Sequence, residues 1–209
     1  MFLTSEISTK TIYCKKVFLG KIMETLKIDP HGSWNPLREY AETLSNERHK
    51  KLVNGVANHM EAEIKGQLEP LMATLTAEPV YHFWRVGEVN MMLNGYEEVS
   101  NFYSNMFENG GEQFEVVTER IIVDDQGVIT EGKVKQVYTQ ENLKTMGLTS
   151  ENFSELENSD LWVSNTQLIT VWPSDPDAKL VGEDIYFGED PMKTLSPINR
   201  DEIPDYYKW

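Results

Sequence analysis

Cys14 is the only cysteine in the 209-residue chain. An internal disulfide and a cysteine-based zinc site are therefore excluded. Long apolar runs are also missing: no stretch approaches the ~20 residues that span a bilayer. The first twenty residues interleave Glu6, Lys10, Lys15 and Lys16 with apolar positions, so no signal-peptide core forms. Positive charge is scarce, with 19 Lys and Arg against 34 Asp and Glu and a formal net charge of −15. The short basic clusters Lys15-Lys16 and Arg48-His49-Lys50-Lys51 are too small to neutralise a phosphate backbone. An acidic surface also repels anionic lipid. The expectation is a cytoplasmic protein without nucleic-acid or membrane partners.

Several chemical signatures are absent too. There is no Walker loop, no GxGxxG, no Gly-x-Ser-x-Gly elbow and no HExxH. The four His, at 31, 49, 59 and 82, do not pair at helical metal-ligand spacing. Asp124-Asp125-Gln126-Gly127 is a hairpin turn, too short for a calcium loop. No metal and no cofactor are expected.

What remains is a chain with 40% apolar and 11% aromatic residues, enough for one core. Val17, Phe18, Ile22, Met23 and Leu26 give a short amphipathic lead-in, broken by the turn chemistry of Pro30 to Pro36. Asn46 to Lys65 reads as a helix with Leu52, Val56, His59 and Glu63 on one face, and Gly66 ends it. Leu68 to Leu75 reads as a second short helix. Val80 to Trp84 has strand composition, and Tyr96 to Phe107 is helical again. Phe114–Val123, Val128–Thr139, Leu161–Trp172 and Leu180–Phe187 read as strands. Residues 140–160 read as a loop with one helical turn, long enough to be a lid. Helices followed by an antiparallel meander make an α+β fold. The expected divisions are a helical extension over 1–44, a domain over 45–190 and an aromatic tail over 191–209.

The order of these elements and their local wording resemble the NTF2-like (SnoaL-like) superfamily. The matching pieces are His59-Met60-Glu61-Ala62 with Gly66-Gln67-Leu68, Glu78-Pro79-Val80-Tyr81, Gly95-Tyr96-Glu97-Glu98-Val99 with Phe102-Tyr103, Ile121 to Asp125, and Gly182-Glu183-Asp184-Ile185-Tyr186. The resemblance implies a cone, in which a curved antiparallel sheet wraps N-terminal helices around an apolar pocket. It also implies a homodimer. The superfamily includes cofactor-independent isomerases, dehydratases, epoxide hydrolases, polyketide cyclases and lyases as well as proteins that only bind, so fold does not settle function.

Aligned from Gly66, the resemblance puts His59 where ketosteroid isomerases have an oxyanion donor and Phe83 where they have the basic Asp. That mechanism is therefore excluded. The same register sends Tyr81, Phe83 and Arg85 inward and leaves His82 and Trp84 outside, since strand side chains alternate. Slippage by one residue would bring His82 into the pocket instead. On the last strand, Asp184 resembles the working Asp of the epoxide hydrolases and cyclases. The expected catalytic set is thus His59, Asp184, Tyr81 and Arg85, with Phe83, Met60, Phe102, Trp172 and His82 around the substrate. Each has an ordinary structural alternative: a core His, a solvent-facing Asp, a core Tyr, a strand-end Arg. Glu63, one turn beyond His59, is a candidate to orient the imidazole. The expected function is proton transfer on a hydrophobic, ring-containing small molecule, by a lyase, dehydratase or isomerase. The alternative is a non-catalytic binding or dimerisation module.

Overall fold

The computed structural model describes residues 27–85 and 88–205; the amphipathic lead-in before residue 27 and the last four aromatic-rich positions lie outside these. Five α-helices, α1 (Asn35–Thr43), α2 (Glu47–Ile64), α3 (Leu68–Met72), α4 (Gly95–Glu108) and α5 (Gln140–Thr145), accompany seven strands. The strands are β1 (Leu75–Arg85), β2 (Glu88–Asn94), β3 (Phe114–Asp124), β4 (Gly127–Thr139), β5 (Leu161–Pro173), β6 (Leu180–Phe187) and the short β7 (Ser196–Pro197). The main sheet order is β2-β1-β6-β5-β4-β3, with β7 beside β5. The expected meander holds from β3 to β6, but β1 runs parallel to β6. The sheet is therefore mixed rather than antiparallel throughout. The cause is connectivity: β1 precedes the meander in sequence and slots in beside its last strand. β2 was not foreseen, because Met91-Met92-Leu93 carries no clear alternation.

Helix α2 is the element on which the concave face closes. Asn46 caps it by accepting from the Arg48 and His49 amides at 2.9 and 3.3 Å. Its buried positions include Leu52, Val53, Val56, His59 and Met60. Gly66, with φ 63°, lets the chain turn away. The basic cluster at the start of α2 is structural. Arg48 donates to the carbonyls of Asp125, Asp175 and Pro176 at 2.7–2.8 Å, and His49 Nε2 lies 2.9 Å from Asp125 Oδ1. One helix end thus ties down both the β3–β4 and β5–β6 turns. Residues 28–44 also pack into the domain, with Trp34, Leu37 and Ala41 in the main core and Ser33 Oγ accepting from the Val116 amide at 2.9 Å.

Two close approaches bend the sheet. A Cβ on Gly132 would lie 1.9 Å from the Val117 carbonyl, beside the register shift between Thr118 and Arg120. A Cβ on Gly182 would lie 1.7 Å from the Val80 carbonyl, beside the β1–β6 register shift. Gly182→Ala is expected to cost at least about 3 kcal/mol in urea unfolding, the upper end of overpacking. Gly55, inside α2 with nothing within 4 Å of its virtual Cβ, gives the contrast: Gly55→Ala is expected to stabilise by about 1 kcal/mol. Equal effects of the two substitutions would refute the packing argument.

Candidate active site

The concave face encloses a cavity of about 210 Å³. Its walls include Phe83, Phe102, Met106, Leu168, Trp172 and Ile185. An engineered cavity of roughly 150 Å³ holds benzene, so this one has room for a ring-bearing guest. Among the acidic and phenolic groups on its wall, Glu63 on α2, Tyr103 on α4 and Glu183 on β6 come together.

Behind them lies a hydrogen-bonded cluster. His59 is fully buried, and its Nε2 is 3.1 Å from Glu183 Oε1, 3.2 Å from the Tyr103 hydroxyl and 3.4 Å from that of Tyr81. Tyr103 donates to Glu183 Oε1 at 3.0 Å. On the other side of the ring, Nδ1 is 2.7 Å from Thr74 Oγ1. The Thr74 hydroxyl spends its own proton on the Leu71 carbonyl at 2.6 Å. Thr74 can therefore only accept from the ring, so Nδ1 carries a proton. Nε2 is left to give a proton to Glu183 or to receive one from a phenol. Thr74, rather than Glu63, orients the imidazole.

Burial sets the protonation pattern. Glu63 is half-buried against the cavity, and desolvation, followed by the negative charge of Glu183, pushes its carboxyl well above the usual range. The same two causes, in the same order, push the Tyr81 and Tyr103 phenols upward and keep them as donors. One ligand atom each from His59, Glu63 and Glu183 lies within 4.8 Å of the others, so these described residues could also hold a metal ion.

The predicted residues divide as follows. Met60, Phe83, Arg85, Phe102 and Trp172 line the cavity. Tyr81 and His59 lie one layer behind its wall, bonded to Tyr103 and Glu183. Asp184 requires a correction. It lies on the outer face, where its Oδ1 is 2.6 Å from His82 Nδ1, with side chains 32% and 30% exposed. His82, placed around the substrate as a reserve, is therefore outside as well. The reason is strand parity: β6 turns Glu183, Ile185 and Phe187 inward, which forces Asp184 and Tyr186 out. Glu183 and Tyr103 are the residues that sequence reasoning missed. The signal for Glu183 was present, since it shares period-2 spacing with the apolar Ile185 and Phe187.

No family model and no curated protein sequence matches the chain. Solved structures do. An NTF2-like protein from Anabaena variabilis aligns at TM-score 0.51 and 15% identity, over 71% of this chain and 96% of that one. The chain has the NTF2-like fold. Bal32a, from a soil-derived mobile gene cassette, aligns at TM-score 0.50 and 12% identity, over 70% of this chain and 95% of that one. A candidate SnoaL-like polyketide cyclase from Shewanella denitrificans gives TM-score 0.50 and 12% identity, over 68% and 90%. The shared fold does not by itself settle function.

Two predictions follow from the cluster. Thr74→Val removes the acceptor for His59 Nδ1–H and is expected to cost about 1–3 kcal/mol by leaving a buried donor unpaired. Thr74→Ser should restore most of that loss, and imidazole ¹⁵N shifts should report the tautomer directly. The second concerns pH. The folded state holds the Glu63 proton more tightly than the unfolded chain does, so stability falls as pH rises from about 4.3 toward the raised folded value. Glu63→Gln should flatten that slope in urea titrations across pH; parallel curves for the two proteins would contradict the assignment.

Proposed function

We propose that this protein is a cofactor-independent enzyme of the lyase, dehydratase or isomerase type, moving a proton on a hydrophobic, ring-containing small molecule. The observation that carries the reading is the pair Glu63 and Glu183 on one cavity wall, with the Glu63 carboxyl pushed upward by burial and then by its neighbour Glu183. Glu183 takes a proton from carbon, with His59 and Tyr103 bonded to the same oxygen to stabilise its changing charge. Glu63, protonated, delivers a proton to an oxygen of the substrate. The apolar walls keep water from competing for either proton. The fold shared with a candidate polyketide cyclase agrees with ring chemistry.

A simple ketone tests the proposal. 2-Tetralone is a two-ring compound with acidic C–H bonds, and its exchange in D₂O is followed by proton NMR. The protein is expected to accelerate exchange by roughly 10²–10⁴-fold, the usual yield of positioned acid–base groups. Glu183→Gln should abolish the acceleration and Asp184→Asn should preserve it. Exchange no faster than with free glutamate, or equal loss in both variants, would refute the proposal.

A further inference from the structure

Strands β1 and β6 run side by side in parallel, and three successive pairs share their inner face: Tyr81 beside Glu183, Phe83 beside Ile185, and Arg85 beside Phe187. The first pair is polar and belongs to the proton-transfer cluster. The second is apolar. The third places a cation at the far end, about 13 Å along the strand from the first at ~3.3 Å per residue.

Arg85 is the only cation among the described residues that line this cavity. Its guanidinium rests 5.8 Å from the Phe187 ring centroid. No described carboxylate lies within ion-pair distance of it, although Asp190 lines the same cavity. Asp190 Oδ1 instead accepts from the Met192 amide at 3.0 Å. Arg85 is exposed at the strand end where it meets the cavity; with no acidic partner among the described side chains, in a chain of net charge −15, it offers its guanidinium for recognition. Its flat, forked donor set matches a carboxylate. Asp190 and the overall negative charge favour a single anionic charge over the two of a phosphate monoester.

We infer that the substrate is an amphipathic acid, whose carboxylate docks on Arg85 and whose ring system lies against Phe83 and Ile185 with its reacting end at Glu63 and Glu183. This deepens the proposed function and rests on it for the reacting end only. Arg85 is then a specificity residue rather than a catalytic one.

Calorimetric titration at pH 8 separates the two ideas, using 2-naphthylacetate and its neutral isostere 2-naphthylacetamide. The acid should bind roughly tenfold more tightly than the amide, the scale of a partly exposed charge-assisted contact. Arg85→Gln should erase that preference while leaving the amide within about twofold of wild type. Equal binding of the two ligands, or a preference that survives Arg85→Gln, overturns the inference and leaves the tetralone result standing. Failure of both ligands to bind overturns it together with the ring-sized cavity reading.

Discussion

A carboxylate taken out of water must find donors or keep a proton, and Glu183 organises the interior by that requirement. It is 5% exposed and has His59 and Tyr103 for polar company. Burial first, and its negative charge second, push the Glu63 carboxyl and two phenols upward. The imidazole beneath it is fixed from the opposite side by Thr74, at the junction of α3 and β1. Helices α2 and α4 thus converge on one carboxylate oxygen of β6. An unpaired buried charge is far costlier than a lost surface contact, so this cluster requires the helices and the sheet to meet in one register.

The parallel pairing of β1 with β6 supplies that register. It aligns polar, apolar and cationic positions across the cavity and leaves the His82–Asp184 pair on the convex side. The bends at Gly132 and Gly182 wrap the sheet far enough for α2 to close the interior. Arg48 then clamps the helix to two turns that lie far apart in sequence. No described helix is long and apolar enough to cross a membrane.

Much of this was legible in the chain itself. The bounds of α2 and α4, the β3–β4 hairpin and the strands β5 and β6 follow from periodicity and turn residues, because local preference and tertiary packing agree there. The inward placement of Tyr81, Phe83 and Arg85 follows from resemblance and alternation together. Parallel pairing was hidden, since a strand's partner depends on contacts about a hundred residues away. Asp184 was misplaced because its resemblance to a working acid outweighed the period-2 pattern of Glu183, Ile185 and Phe187. Thr74 carries no chemical signature at all; only its position beside a ring nitrogen gives it a role.

Neighbouring acids on β6 have opposite destinies: one feeds the interior and the next makes an external handshake with a histidine. Their identities are therefore locked to chain length. Losing or gaining one residue just before Glu183 would turn the strand inside out, stranding a naked charge in the greasy interior and dissolving the outer pair at once. Evolution can swap the amino acids of this strand far more freely than it can edit its count, so relatives that keep the interior cluster are expected to vary in spelling here but not in spacing.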